Sequence, residues 1–330
     1  MNILVTGGTG FIGEYFIPQL IAQGHKVRLL VRNIDKARAL FYEMCEYFVG
    51  DVTQRESIRG CCEEIDVVFH MVAKVGNQLP TDVAFEEFRL VNVQGTKNII
   101  DEGKSSNIKR FVFVSSTAAM GIVKETPISE KSKCEPYLPY QVTKYEAEEL
   151  VRNEVSENGF PGIIVRPTKV YGVGEHEYSY LTLAKLCKKG VFPKVGKGKN
   201  YTSNIYVSDL VQGLVQLVDR GKIGETYILT SEESISFEAI GECIAGVIGK
   251  KICIIPVPSN LMIFLATVEE RFFNLIKRKP IVTRKNIEAT ITDRVYNIDK
   301  AKTEIGFSPK VALEQGICNV VRWYLEEKIL

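Results

Sequence analysis

Three side chains in the first half of the sequence have the types and spacing for proton transfer. Ser115 and Ser116 close an apolar run, RFVFVSS (110 to 116), and 24 residues past Ser116 the segment PYQVTKYEAEELV carries Tyr140 and Lys144. Four residues apart on a helix, Tyr140 and Lys144 share a face about one turn apart. A phenol with a reference pKa of about 10 exchanges its proton poorly at neutral pH until a nearby cation lowers it, and lysine is such a cation. A serine hydroxyl beside them can hold a substrate oxygen while the tyrosine gives or takes the proton. Tyr-x-x-x-Lys alone recurs by chance, so its weight depends on what the rest of the chain places around it.

The chain opens on MNILVTGGTGFIG, residues 1 to 13. Ile3 to Val5 read as a buried strand, and Phe11, Ile12, Tyr15, Phe16 and Leu20 recur with helical period. Strand, glycine turn and helix form a phosphate-binding arrangement. Gly7, Gly10 and Gly13 keep side chains away from a pyrophosphate, and the helix opened by Phe11 and Ile12 offers unpaired N–H groups and a partial positive charge. A dinucleotide site is the expectation. Nineteen residues past Gly13 stands Arg32, where an NAD site usually has an acid; a planar guanidinium suits a 2′-phosphate, which favours NADP. Lys36 and Arg38 support that choice, whereas Asp35 could reach the ribose and favour NAD. Asp51 is placed to accept from an adenine amino group, and His70, inside an apolar strand, reads as a satisfied core residue.

The elements that position these residues alternate. Strands are expected at 25 to 31, in EYFVGDV, at 66 to 73 and at 110 to 116, and helices at 34 to 42, about 54 to 64, 82 to 104 and 139 to 158. Repeated βαβ units imply an α/β fold, a Rossmann-type doubly wound parallel sheet with helices on both faces and ligands at the carboxyl ends of the strands. At 330 residues the chain is long for one core. We expect a nucleotide-binding unit over 1–172, with a return near 205–230, and a smaller α+β substrate unit over 173–330.

In that second half, helices are expected near 178 to 189 and at 208 to 219, and a strand at 226 to 230 that rejoins the main sheet. The segment 252 to 276 is the most apolar. Its uninterrupted run, Leu261 to Val268, is too short for the ~20 residues of a bilayer span. A helix there would carry Leu261, Phe264, Leu265, Val268, Phe272 and Leu275 on one face, for which core packing is preferred over a pocket lining or a membrane contact. Trp323 is expected to pack in the last helix.

Composition excludes some classes. Apolar residues make up 45%, charged residues 25%, and the net charge is +2, so no nucleic-acid footprint is expected. The eight cysteines (45, 61, 62, 134, 187, 243, 253 and 318) show no C-x-x-C pair and no metal spacing with the three histidines; no metal site is expected, and the thiols read as reduced and mostly buried. With a first strand at residue 2 no signal peptide is expected, and a cytoplasmic location is.

TGGTGFIG, DVVFHMVA, VNVQGTKNI (91 to 99), FVFVSST, Tyr140-Gln-Val-Thr-Lys144, RPTKVYG (166 to 172), IYVSDLVQGL (205 to 214), GETYIL (224 to 229) and YNIDKAKTEIGFSP (296 to 309) together resemble the extended short-chain dehydrogenase/reductases, the NAD-dependent epimerase/dehydratase family. The resemblance spans nearly the whole chain and implies Ser116, Tyr140 and Lys144 as catalytic residues, with Lys144 on the nicotinamide ribose. It puts Gly7, Gly10 and Gly13 at the pyrophosphate, Asp51 and Val52 at the adenine, Ala73 at the ribose, Pro167 at the nicotinamide, and Asn92 near the site. A homodimer through the 82 to 104 and 139 to 158 helices is also a family-level expectation.

Departures from the family pattern narrow the chemistry. Thr117, Ala118 and Ala119 stand where sugar-nucleotide dehydratases carry an acidic pair. Thr202 and Ser203 replace the Arg-Asp with which many epimerases meet nucleotide phosphates, leaving Lys194, Lys197 or Lys199 as substitutes. The nearest likeness is to the 3β-hydroxysteroid dehydrogenase and dihydroflavonol reductase branch. The sequence therefore points to an NADP-preferring oxidoreductase acting on a carbonyl or secondary alcohol of a small, moderately apolar molecule. A sugar-nucleotide 4-epimerase with NAD, and a non-catalytic NADP-binding sensor or assembly protein, stay as alternatives.

Overall fold

The computed structural model describes residues 1–76, 80–196, 200–275 and 284–330. The first half runs β1 (Asn2–Thr6), α1 (Phe11–Ala22), β2 (Lys26–Val31), α2 (Ile34–Phe41), β3 (Glu46–Val49), β4 (Val67–His70), α3 (Asp82–Arg89), α4 (Gly95–Ser105), β5 (Arg110–Val114), α5 (Pro139–Asn158) and β6 (Gly162–Pro167). There follow β7 (Lys169–Tyr171), α6 (Leu181–Lys188), β8 (Val191–Val195), β9 (Tyr201–Thr202), β10 (Asn204–Tyr206), α7 (Val207–Arg220) and β11 (Thr226–Leu229). The chain ends with β12 (Ile235–Ser236), α8 (Phe237–Ile248), β13 (Cys253–Val257), α9 (Ser259–Leu275), α10 (Arg284–Ile291), α11 (Asp299–Ile305) and α12 (Leu313–Glu326).

Seven strands form one parallel sheet in the order β11-β6-β5-β4-β1-β2-β3. Its interior strands are apolar on both faces because both are covered. Ile3 and Val5 face a core that includes α1, α7 and α11, while Leu4 faces the opposite core with Ile99 and Ile100 of α4 and Ala147 and Val151 of α5. The doubly wound parallel sheet read from the sequence is thus the observed one, and the expected strand at 226 to 230 is β11, paired with β6 at the edge. A third core joins α6, α8 and α12 around Phe192, Ile244 and Ile317. Trp323 packs there, its ring stacked 6.0 Å from that of Tyr178.

Several elements differ from expectation for local reasons. The helix expected over 54 to 64 is a single 3-10 turn, Arg55–Ile58, followed by turns; Gly60, at φ +77°, takes a left-handed conformation that no helix continues through. The rod expected over 82 to 104 is α3 and α4 joined by a π-helical turn, Leu90–Gln94, which carries Asn92. The apolar stripe of α9 is real but faces outward. Phe264 is 64% exposed, Leu265 55% and Phe272 56%, with Leu261 and Val268 also exposed, so the core-packing expectation is corrected; the side chain of Leu275 lies outside the described residues. Ala266, on the other side of that helix, is the residue that packs. Among the described residues no helix is long and apolar enough to cross a membrane.

The glycines of the first turn divide their work. Gly7, at φ +74°, lies so close to the chain leaving β4 that a Cβ would stand 2.7 Å from the Val72 nitrogen. A Cβ on Gly13 would be 2.0 Å from the Gly8 carbonyl oxygen, which is what lets α1 start directly against the end of β1. Gly13→Ala must therefore push α1 off the strand and should destabilise the fold by about 1–3 kcal/mol or more, read as a fall in the urea midpoint. An unchanged midpoint would contradict this packing role.

Candidate active site

Two clefts open at the carboxyl ends of the central strands and share Ala73. One, of about 360 Å³, is lined by Thr6, Gly7 and Thr9 of the first turn, by Val31 and Arg32 after β2, by Asp51 and Val52 after β3, and by Val72 and Ala73 after β4. The other, of about 410 Å³, is lined by Ile12, Met71, Ala73, Ser116, Tyr140, Lys144 and Pro167, and further by Thr168, Lys169, Val170 and Glu177. Parallel strands ending side by side make this a single crevice in two halves. Larger cavities elsewhere, such as one of about 570 Å³ between α1 and α7, hold none of these residues.

In the first half, α1 begins at Phe11 with Gly10 as its N-cap, so the Phe11, Ile12 and Gly13 N–H groups face the turn without helical partners. A Cβ on Gly10 would meet only the Gly7 carbonyl, at 3.4 Å, leaving the space above the turn open. An anion fits such a cradle. Phe11 turns away, edge-on to Tyr15 at 5.7 Å and against Gly172. Arg32 sits at the mouth with 77% of its side chain exposed and its guanidinium 3.8 Å from the Asp51 carboxylate. Asp51 also accepts from the Thr53 N–H at 2.9 Å and hydroxyl at 2.8 Å. Burial works against its charge, but these bonds and Arg32 outweigh it and hold the carboxyl below its usual range. Asp35, Lys36 and Arg38, singled out in the sequence, are exposed on α2 and do not line the cleft.

The second half is built on β5, α5 and β6. Ser116 caps the short turn after β5, its hydroxyl accepting from the Ala118 N–H at 3.1 Å. Tyr140 lies in the first turn of α5 and lines the same cleft as Ser116. Burial pushes its hydroxyl up to about 12, the nearby Ser116 hydroxyl eases it, and the Glu177 charge adds to the rise. Lys144, one turn on, is buried. Its Nζ donates to the Val114 carbonyl at 2.8 Å and stands 4.1 Å from the centre of the Phe113 ring. Burial pulls the ammonium down to about 7, with Glu148 holding it up. Lys144 Nζ is turned to the Val114 carbonyl, and in the free chain the Ser116 hydroxyl is the group that eases the Tyr140 phenol.

Two predicted residues stand behind the crevice. Asn92 is buried in the π-helical turn; its Oδ1 accepts from the Lys74 N–H at 2.7 Å, and its Nδ2 donates to the Lys74 carbonyl and the Thr143 hydroxyl, both at 3.0 Å. It ties the chain after β4 to α5 beside Lys144, and a π-turn is a common way to aim such a residue. His70 is a core residue as expected, bonded to the Thr6 hydroxyl at 2.8 Å and that of Thr96 at 3.0 Å, with burial pushing it down to about 3. Lys194 pairs with Glu238 at 2.9 Å, and Lys197 and Lys199 lie outside the described residues.

Sequence reading missed Met71, Thr168, Lys169, Val170 and Glu177 as lining residues. Their signal was position, since Met71 follows β4 and the 168 to 170 stretch follows β6. It also missed Arg294, whose N–H donates to the Tyr201 carbonyl at 2.8 Å and whose carbonyl accepts from the Ser203 N–H at 2.9 Å. An arginine thus returns beside the Thr202-Ser203 position from about 90 residues downstream.

The chain belongs to the NAD dependent epimerase/dehydratase family, whose model matches residues 3–229. It is similar to a 3-beta-hydroxysteroid dehydrogenase of Mycolicibacterium neoaurum, 26% identical over 98% of this chain and 92% of the relative. It is equally similar to a 4-hydroxy-2-methyl-3-oxo-4-farnesyl-3,4-dihydroquinoline-1-oxide ketoreductase of Stigmatella aurantiaca, 26% identical over 96% and 95%. In fold it matches the dTDP-glucose 4,6-dehydratase of Streptomyces venezuelae with NAD bound, at TM-score 0.77 and 22% identity over 99% of this chain and 98% of the other. The protein is an enzyme, an oxidoreductase of the NAD-dependent epimerase/dehydratase type.

A buried ammonium destabilises the chain that carries it. Since Lys144 titrates near 7 when folded and near 10.5 when unfolded, the unfolded state binds the extra proton between those values, and stability rises with pH across that window. Lys144→Met should raise Tm most below pH 7, with the gain shrinking towards pH 10. A gain independent of pH would contradict the assignment.

Proposed function

We propose that this enzyme is an NADP-preferring dehydrogenase/reductase that interconverts a carbonyl and a secondary alcohol on a small, moderately apolar molecule. The observation that carries the proposal is the meeting of Ser116, Tyr140, Lys144 and Pro167 in one cleft that continues through Ala73 to the glycine turn and Arg32. The open cradle over Gly10 and the unpaired N–H groups at the start of α1 fit a pyrophosphate. Arg32 would hold the 2′-phosphate, Asp51 and Val52 the adenine, Ala73 a ribose, and Pro167 would border the nicotinamide. When bound, the nicotinamide supplies or takes up the hydride.

The chain's own residues handle the oxygen and the proton. Ser116 orients the substrate oxygen through the hydroxyl it brings to the cleft beside Tyr140. Tyr140 donates its proton to that oxygen during reduction and accepts it back during oxidation. Lys144 supplies ammonium hydrogens to a ribose and, when charged, draws the Tyr140 phenol towards the neutral range. Ile12, Met71, Val75 and Val170 give the cleft its apolar walls. Thr117, Ala118 and Ala119 after Ser116 supply no acid for water elimination from that position.

A second reading, a sugar-nucleotide 4-epimerase with retained NAD, rests on Arg294. Its backbone seat beside Thr202 and Ser203 puts a guanidinium-bearing residue at the strand where epimerases meet phosphates. A cytoplasmic setting and a homodimer are part of our proposal. Exposed Val83 and Leu90 on the 82 to 105 rod support the dimer.

Tyr140→Phe should lower kcat for carbonyl reduction by at least about 100-fold with little change in cofactor binding; full turnover would overturn the mechanism. Arg32→Ala should weaken NADPH far more than NADH in a fluorescence titration. Equal losses would remove the 2′-phosphate role, and NAD released only on denaturing the purified protein would favour the epimerase.

A further inference from the structure

α8 and α12 pack against each other in the third core, and at their contact the Cys243 and Cys318 sulfurs are 3.0 Å apart. That is closer than two non-bonded sulfurs normally approach and about 1 Å from the length of a disulfide bond. The two thiols come from positions 75 residues apart, so the approach is a product of the fold. Both cysteines are only partly buried, within reach of a small oxidant. Cys61 and Cys62 make an instructive contrast: 3.8 Å apart, but adjacent in sequence and fully enclosed.

We propose that Cys243 and Cys318 form a disulfide site closed by hydrogen peroxide. One thiol attacks the peroxide, forming an S–O bond as the O–O bond breaks, and leaves a sulfenic acid and one water. The other thiol attacks the sulfenic sulfur; the S–S bond forms, the S–O bond breaks, and the oxygen leaves with the thiol proton as a second water. The two cysteines together lose two electrons and two protons, and one peroxide is reduced to two waters.

The bond acts on the layer beneath the substrate cleft. α12 is seated on β7 and β10: a Cβ on Gly316 would stand 2.4 Å from the Tyr171 hydroxyl, and that hydroxyl donates to the Leu313 carbonyl at 3.3 Å. β7 in turn presents Lys169 and Val170 to the cleft. Joining α12 to α8 restrains the unfolded chain over a long loop and fixes the support of that wall.

The test uses the full chain, reduced with dithiothreitol, freed of it, and treated with a small excess of hydrogen peroxide. Non-reducing peptide mapping should give one linked pair, Cys243 with Cys318, with two of the eight thiols lost and Tm raised by roughly 5 °C, all reversed by dithiothreitol. Cys318→Ser should lose both the linked peptide and the Tm gain, and Cys243→Ala provides the same test from the other helix. Thiols that stay free, end as sulfinic acids, or link instead to Cys253 or to a second copy of the chain would overturn the proposal.

Discussion

A buried pair of charges fixes the half of this molecule that carries Ser116, Tyr140 and Lys144. Glu148 on α5 and Arg166 on β6 are both enclosed, joined by bonds of 2.6 Å and 3.0 Å, and Arg152 adds a third contact at 2.7 Å. Removing one partner of such a pair costs about 3–5 kcal/mol because the other charge stays buried. The pair therefore holds α5 against the sheet at one level. One turn back from Glu148 is Lys144, reaching the last carbonyl of β5, and one turn further back is Tyr140, in the cleft it shares with Ser116. The arrangement of Ser116, Tyr140 and Lys144 thus rests on a charge pair outside the cleft they line. Asn92, bonded to Thr143 and to the chain after β4, braces the same helix from its other side.

The cofactor half depends on close backbone packing. Gly7 and Gly13 exist to let chain segments touch, and only above Gly10 does the turn stay open. The two halves therefore differ in how they resist change. A substitution in the glycine turn displaces a helix, whereas one at Lys144 trades chemistry for stability, because a desolvated amine is held at a site where an apolar side chain would fit better.

Much of this was legible in the sequence for physical reasons. Short strands buried on both faces write themselves as apolar runs, and a phosphate turn must follow β1 with glycines where backbones meet. Tyr140 and Lys144 were legible because helical spacing puts them together. Long-range effects were not. The stripe on α9 has the period of a packed helix, but period cannot say whether the face turns in or out. Gly60 ended a helix that propensity would have continued. Lys36 and Arg38 are near Arg32 in sequence, yet helix α2 carries them off the cleft. Arg294 arrives beside Ser203 from a distant segment. The pairing of Cys243 with Cys318 across 75 residues was invisible for the same reason.

The role proposed for Ser116, Tyr140 and Lys144 is hydride transfer to a substrate carbonyl from a cofactor that comes and goes. The decisive measurement is reduction of a panel of apolar ketones with NADPH carrying deuterium at both C4 positions, followed by mass spectrometry of the products. One deuterium is expected on the carbinol carbon of a product alcohol, at many turnovers per enzyme. Product without deuterium, or a sugar nucleotide inverted with its own hydrogen retained on an enzyme that never releases NAD, would contradict it.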